Sequence, residues 1–276
     1  MCIRDSLGIT LQYEMCYTNI LQVLDLSGIP LRTRDRKKGD TLVIGGGPCS
    51  YNPEPIADFF DIFYMGEGEV SYDELLELYK VYKHSDMTRQ EFLIKVSNIP
   101  GLYVPELYEV TYHEDGTIAF FGPKFDGVPA TVTKTVVMDH SKVTYPEKPV
   151  VSFMKLTQDR VVLEIMRGCI RGCRFCQAGM IYRPTRPKNV DMLKGYAENM
   201  LASTGHEEIT FSSLSSSDYE NLPELTDCLI EKMDNEHVNI SLPSLRIDAF
   251  SLDVMSKIQD VKKLSLIHIS EPTRRV

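Results

Sequence analysis

Three cysteines at C-x3-C-x2-C spacing are the residues of this 276-residue chain whose types and spacing most clearly indicate chemistry. They are Cys169, Cys173 and Cys176, and they follow an apolar run at 161–166 that is typical of a buried strand. A closed zinc site needs four ligands, and a four-iron, four-sulfur cluster has four irons to ligate. Three thiolates therefore leave one iron of such a cluster open to a non-protein ligand.

The cysteine spacing leaves two other interpretations open. One is a zinc site with three cysteines and a distant fourth ligand, and the other is a set of unrelated buried thiols. Gly168, Gly172 and Gly179 favour a loop tight enough for the three thiolates to converge on one point. Cys228 falls in the apolar stripe of a later predicted helix, so we interpret it as a core residue and not as a fourth ligand.

Residues 166–179 resemble the cluster-binding loop of the radical S-adenosylmethionine (radical SAM) superfamily, which has an aromatic residue, here Phe175, before its last cysteine. The resemblance implies that Cys169, Cys173 and Cys176 hold a 4Fe-4S cluster. Its open iron would chelate the amino and carboxylate groups of S-adenosylmethionine (SAM). The reduced cluster would then cleave SAM to a 5′-deoxyadenosyl radical. We also expect an electron donor such as flavodoxin or ferredoxin.

Further contacts to SAM are expected where later strands end. The superfamily usually has a Gly-Gly-Glu-like segment after its second barrel strand, and this chain has Ser212 and Ser213 there. Their hydroxyls can accept the same hydrogen bond from the methionyl amine. Ser244 and Arg246 follow the next strand, and Arg246 is a candidate for a bidentate pair with the methionyl carboxylate. The alternative for Arg246 is a surface arginine at a strand end.

Glycine-rich segments at 45–48 and 66–69 end two predicted strands of the N-terminal part, where strands and helices alternate. That alternation predicts an open, mostly parallel, doubly wound sheet, and strand ends are where such sheets bind ligands. From the pattern alone, the favoured interpretation is that the glycines serve only tight turns. Together with 52–55, these segments resemble the N-terminal domain of cobalamin-binding-domain radical SAM proteins. No D-x-H-x-x-G cobalamin motif is visible, so the sequence leaves cobalamin open as a cofactor.

The predicted fold class is α/β, with a truncated Rossmann-like, cobalamin-binding-like domain before a partial (β/α) radical SAM barrel. The barrel is expected to contain three strand–helix units, the last with a helix at 251–258. The predicted divisions are an N-terminal tail, the Rossmann-like domain, a linker region with a β-hairpin, the partial barrel and a C-terminal tail. They span 1–6, 7–85, 86–155, 156–263 and 264–276.

Both tails resemble translated sequencing-adapter sequence, because codons that encode 1–6 and 264–269 can be reverse complements of each other. We therefore expect both tails to contribute nothing to the fold, and the chain to be a piece of a longer protein. A partial barrel is expected to bind SAM weakly and to have little or no turnover. The second step of the reaction, and hence the substrate, cannot be read from the sequence.

The formal charge of −9 argues against a protein that coats nucleic acid, although the cysteine loop and its flank are basic. They contain Arg167, Arg171, Arg174, Arg183, Arg186 and Lys188. Most are expected to be solvated, and the alternative is contact with a nucleotide or RNA substrate. Scattered cysteines and the lack of a signal or membrane-spanning run predict a cytoplasmic protein. His113 and His140 are expected to be ordinary surface residues.

Overall fold

The structure is a computed structural model that describes residues 5–143, 145–233 and 238–246. The chain divides into two compact units, Met1–Asp139 and His140–Val276. Among the described residues, no helix has the length and apolar character needed to cross a membrane.

The first unit contains a four-stranded sheet, three helices and a hairpin. The strands of the sheet are β1 (Ser6–Thr10), β2 (Leu42–Gly46), β3 (Ile62–Tyr64) and β4 (Leu102–Tyr103). The helices are α1 (Tyr17–Leu26), α2 (Tyr72–Lys83) and α3 (Arg89–Ser97), and the hairpin strands are β5 (Tyr108–Tyr112) and β6 (Ile118–Pro123). The sheet order is β1-β2-β3-β4, with β1, β2 and β3 parallel and β4 antiparallel to β3. A mostly parallel N-terminal sheet is therefore present, as predicted.

Helices of the first unit follow local signals in the sequence. Thr88 and Glu91 form a reciprocal capping box at the start of α3, which was predicted to begin after Thr88. The spacing of Ile20, Val23 and Leu24 in the sequence predicts one apolar face on α1. Ile20 and Leu24 are buried, but Val23 is 46% exposed. Gly28 follows α1 with a φ of +66°, which suits a glycine that ends a helix.

The N-terminal half of the predicted linker region belongs to the core of the first unit. Phe92, Leu93 and Val96 of α3 are buried, and so is Leu102 of β4. The sequence pattern does not predict this burial, because α3 is short and its apolar residues are adjacent. The predicted hairpin within this region is present as β5 and β6.

Two residues of the predicted N-terminal tail take part in the fold. Ser6 pairs with Leu42 in the parallel ladder of β1 and β2. The carboxylate of Asp5 lies 2.6 Å from the Nζ of Lys83, and the carbonyl of Asp5 accepts a hydrogen bond from the hydroxyl of Tyr79. The expectation that 1–6 contributes nothing is therefore wrong for these two residues, while the tail at 264–276 lies outside the described residues.

The second unit has a parallel three-stranded sheet of order β11-β10-β7. Its elements are β7 (Val161–Glu164), β8 (Met166–Arg167), α4 (Ala178–Ile181), β9 (Arg186–Pro187), α5 (Val190–Thr204), β10 (Glu208–Ser212), α6 (Leu222–Met233) and β11 (Asn239–Ser241). Successive β/α units that place consecutive strands side by side match the predicted partial barrel. The strands described here form an open sheet and do not close a barrel, and the helix expected at 251–258 lies outside the described residues.

Candidate metal centre

The cysteine loop, residues 168–185, leaves the carboxyl end of β7 and is closed at its base. β8 and β9 pair antiparallel, with Met166 opposite Pro187 and Arg167 opposite Arg186. At the next pair of residues, the backbone N–H of Lys188 donates to the carbonyl of Ile165 at 2.9 Å. The loop therefore begins and ends at one point beside the sheet, which is the position that the sequence predicted for it.

Glu164 holds both arms of this base together. Its carboxylate accepts hydrogen bonds from the Nε of Arg167 at 2.9 Å and from the Nζ of Lys188 at 2.7 Å. Burial by itself would raise the pKa of Glu164, but the hydrogen bonds from Arg167 and Lys188 outweigh it and lower that pKa. The Nζ of Lys188 also lies 4.3 Å from the ring centroid of Tyr145. Glu164 was not among the predicted site residues, and its only signal in the sequence is that it is a lone acid in an apolar strand.

His140 was expected at the surface and is instead buried, with 6% of its surface exposed. Neither ring nitrogen has a hydrogen-bond partner in the structure. Burial, followed by the nearby charges of Arg167, Lys188 and Arg186, lowers the pKa of the imidazole. The expectation failed because a polar local sequence does not reveal that the chain folds back onto the base of the cysteine loop.

The basic residues of the loop are mostly engaged within the protein and not solvated. Arg167 and Lys188 bind Glu164, and Arg186 is buried, with its Nε donating to the carbonyl of Pro184 at 2.9 Å. Arg174 is exposed. The positive charge that the sequence concentrates here thus serves largely to fix the loop.

The three cysteines are partly exposed, as ligands that receive a metal from solution should be. The sulfur of Cys169 accepts a hydrogen bond from the backbone N–H of Arg171 at 3.4 Å. The sulfur of Cys173 lies 3.9 Å from the Nη1 of Arg246. A short turn joins the last two cysteines, with the N–H of Cys176 donating to the carbonyl of Cys173 at 3.0 Å.

The donor set of this loop fits an iron–sulfur cluster. It offers three thiols on one loop. The next cysteine along the chain, Cys228, was predicted to be a core residue and is half-buried on α6. Within the described ranges, no group of three or more histidine, cysteine or acidic side chains already has the arrangement of a metal site. The thiolates therefore have to converge when a metal binds, as is common for sites that are completed by their metal.

Gly168 is the one loop glycine whose backbone requires glycine. Its φ is +82°, and a Cβ there would lie 2.6 Å from the carbonyl oxygen of Pro184 and 2.7 Å from that of Tyr182. A Cβ at Gly172 would meet nothing within 4 Å, and one at Gly179 would make ordinary contacts with Arg171 and Cys176. All three glycines were predicted to have the same role, but in the structure only Gly168 among the three has a backbone that requires glycine.

Gly168→Ala is expected to destabilise the second unit, because alanine costs about 1–2 kcal/mol in this backbone region and its methyl group would also meet two carbonyls. A drop of several degrees in melting temperature is the expected result by differential scanning calorimetry. Gly172→Ala is the matched control, and its melting temperature should equal that of the wild type. Equal melting temperatures for both variants would contradict the role of Gly168.

Residues predicted to contact SAM lie at the same end of the second sheet as the cysteine loop. The carbonyl of Ser212 accepts a hydrogen bond from the N–H of Ile165 at 3.1 Å, so the end of β10 lies beside the end of β7. The hydroxyl of Ser213 is 2.9 Å from that of Ser216. Ser212 therefore lies at the strand end from which the loop departs, and the contact of Ser212 and Ser213 with SAM stays a prediction.

The segment after β11 reaches this end as well. The carbonyl of Ser244 accepts from the N–H of Ser216 at 3.3 Å, and the backbone N–H of Arg246 donates to the hydroxyl of Ser217 at 3.1 Å. With its guanidinium beside Cys173, Arg246 faces the cysteine loop. Phe175 is 92% exposed, so its ring is free to cover a ligand bound to the loop.

Asp218 was not among the predicted site residues. Both oxygens of its carboxylate accept hydrogen bonds from the guanidinium of Arg171. The Nε of Arg171 donates to Oδ2 at 2.9 Å, and the Nη2 donates to Oδ1. Hydrogen bonds from Arg171 lower the pKa of Asp218, and the hydroxyl of Ser215 adds a further hydrogen bond at 2.7 Å. No signal in the neighbouring sequence identifies Asp218 as a site residue, because its partner Arg171 lies in a different strand–helix connection.

In the first unit, glycines at strand ends make room for the chain itself. Gly66 has a φ of +116° and forms a parallel bridge with Thr135, whose carbonyl oxygen would lie 2.2 Å from an added Cβ. A Cβ on Gly47 would lie 3.1 Å from the carbonyl oxygen of Leu11. At both positions glycine therefore allows close packing of the chain, a role that the sequence pattern did not predict.

Sequence comparison matches both units to one superfamily. Residues 2–105 match the family of radical SAM proteins, N-terminal, and residues 163–270 match the radical SAM superfamily itself. The chain belongs to the radical SAM superfamily. An uncharacterized protein of the archaeon Methanocaldococcus jannaschii is 30% identical over 254 residues, which cover 91% of this chain and 46% of that protein.

Solved structures of the cobalamin-dependent radical SAM enzyme OxsB share the fold. The apo form aligns with a TM-score of 0.53 at 14% identity, covering 93% of this chain and 33% of OxsB. The form with aqua-cobalamin and SAM aligns with a TM-score of 0.51 at 15% identity, covering 86% of this chain and 30% of OxsB. The radical SAM chain described here thus spans less than half the length of the proteins it matches.

Proposed function

We propose that this chain forms the cluster-binding part of a radical SAM enzyme, with a 4Fe-4S cluster held by Cys169, Cys173 and Cys176. The observation that carries the proposal is the set of three partly exposed thiols on one loop, at the carboxyl end of the first strand of the second sheet. When bound, the cluster would supply the electron that splits SAM into methionine and a 5′-deoxyadenosyl radical. Flavodoxin or ferredoxin is the proposed class of electron donor.

The chain's own residues would orient SAM beside the loop. The planar guanidinium of Arg246 suits the methionyl carboxylate, because it can donate two parallel hydrogen bonds to it. The hydroxyl of Ser213, which lies 2.9 Å from that of Ser216, can accept a hydrogen bond from the methionyl amine. Phe175 would cover the bound ligand and reduce its contact with water. These positions support reductive cleavage but do not identify the final substrate.

The alternative function is a non-catalytic module in which the same three cysteines bind zinc. Anaerobic reconstitution with iron and sulfide, followed by an absorption spectrum and an iron count, separates the two. The proposal predicts a broad band in the blue and about four irons per chain, since each cubane contains four. A chain that takes up zinc in preference and shows no visible band after reconstitution would support the zinc module instead.

Cleavage is tested separately by measuring 5′-deoxyadenosine after addition of SAM and a strong reductant. We expect release that depends on the cluster and is slow compared with that of a longer form of the protein. A nucleotide or RNA substrate and a cobalamin cofactor are further proposals. The engagement of most loop arginines within the protein disfavours a nucleotide or RNA substrate.

A further inference from the structure

We propose that Asp218 is a positioning residue that holds the middle of the cysteine loop against the ends of β10 and β11. The inference deepens the proposed function and rests on it. The base of the loop is already fixed by β8, β9 and Glu164, but the cysteines lie beyond that base. A second point of attachment is needed to orient them, and the pair of Arg171 and Asp218 provides it.

Arg171 is placed to transmit this attachment to the cysteines. It lies between Cys169 and Cys173 in sequence, and its own N–H donates to the sulfur of Cys169. Its guanidinium is planar and bound through two nitrogens to the two oxygens of Asp218, which fixes both its position and its orientation. Holding the side chain therefore also restricts the backbone that carries the first two cysteines.

Asp218 is itself held firmly enough to act as an anchor. Its side chain is 6% exposed, and its backbone N–H donates to the carbonyl of Ser215 at 3.0 Å. The neighbouring hydroxyl of Ser216 donates to the carbonyl of Pro243 at 2.8 Å, which ties this turn to the segment after β11. The carboxylate therefore belongs to a turn that links the ends of β10 and β11. Through Arg171, it also attaches the cysteine loop, which follows β7, to these two strand ends.

The same turn positions Arg246. The hydroxyl of Ser217, next to Asp218, accepts the backbone N–H of Arg246 at 3.1 Å, while the guanidinium of Arg246 faces Cys173. One turn thus sets the distance between the cysteine loop and the arginine proposed to bind the methionyl carboxylate. Loss of the Asp218 carboxylate should leave the cysteine loop and Arg246 intact, but the distance between them should become variable.

Amide hydrogen exchange of the apo-protein tests the attachment without any cofactor. In Asp218→Asn, the amides of residues 170–177 are expected to exchange about tenfold faster, because a charge-assisted pair is replaced by a neutral contact. Arg171→Gln breaks the same pair from the loop side and should give the same change. Glu220→Gln is the matched control, since Glu220 is an exposed acid in the same turn and its loss changes the net charge equally. Wild-type exchange in both pair variants would overturn the proposal.

Equilibrium dialysis of SAM with the reconstituted protein separates a positioning role from a structural one. Asp218→Asn should keep the iron content of the wild type and raise the dissociation constant of SAM by about tenfold. Its melting temperature should change little, because the Arg171 side chain is 34% exposed and water can solvate its charge when the carboxylate is lost. The double variant with Arg171→Gln should be no weaker than either single variant, as expected when both act through one contact. An unchanged dissociation constant would overturn the proposal. Failure of the wild type to take up iron would refute the proposed function. Hydrogen exchange of the apo-protein would still test whether Asp218 holds the cysteine loop.

Discussion

Cys173→Ala is expected to abolish the iron–sulfur absorbance of the reconstituted chain, and Cys169→Ala and Cys176→Ala are expected to do the same. Each variant leaves two irons of the cluster without a protein ligand, and the remaining two thiolates cannot retain it. Cys173→Ala also removes the sulfur that faces Arg246. The measurements are the absorption spectrum and the iron count after anaerobic reconstitution and desalting.

Cys228→Ala is the control for this series, because Cys228 is a half-buried thiol on α6, outside the loop. Its absorbance and iron content should remain close to those of the wild type. If Cys228→Ala lost the cluster while Cys169→Ala kept it, the ligand assignment would be wrong. Loss of the signal in all four variants would instead indicate four protein ligands and favour a closed site.

Asp61→Asn is expected to unfold much of the first unit at moderate temperature. The Asp61 carboxylate is fully buried and lies 2.9 Å from the Nη1 of Arg36 and 2.6 Å from the Nη2 of Arg89. It also accepts the backbone N–H of Val43 at 2.7 Å. Removing one partner from a buried ion pair costs about 3–5 kcal/mol, because the remaining charges stay buried without compensation. That is a large share of the stability of a typical domain, which is about 5–15 kcal/mol.

Urea denaturation, followed by circular dichroism, measures this effect. Asp58→Asn is a suitable control, because Asp58 pairs with Arg32 at the surface and its side chain is 68% exposed. Such a surface pair contributes about 0–1 kcal/mol, so its midpoint should change little. A midpoint for Asp61→Asn as high as that for Asp58→Asn would show that the buried network does not stabilise the first unit.

Local signals in the sequence determined most helices and strands. The capping residues of α3, the alternation around the hairpin of β5 and β6, and the glycine after α1 each act within a few residues. They therefore remain readable without knowledge of the fold. The same holds for the cysteine spacing, since three thiolates on one short loop can converge whatever surrounds them.

Long-range partners were decided only by the tertiary structure. Asp218 contacts Arg171 across 47 positions of sequence, and Lys188 contacts Glu164 across 24. His140 is buried because the chain before β7 packs near the base of the loop, and a polar local sequence cannot show this. Likewise, α3 joins the first core although its short, adjacent apolar residues give no clear stripe.

Glycine roles show the same division most directly. The sequence identifies which residues lack a side chain, but the need for glycine depends on what lies where a Cβ would be. At Gly168 that space holds two carbonyls from the far arm of the loop, and at Gly66 it holds Thr135. At Gly172 it is empty. The sequence thus sufficed to predict a metal-binding loop, while folding decided which residues position that loop, because those contacts join segments that only the fold brings together.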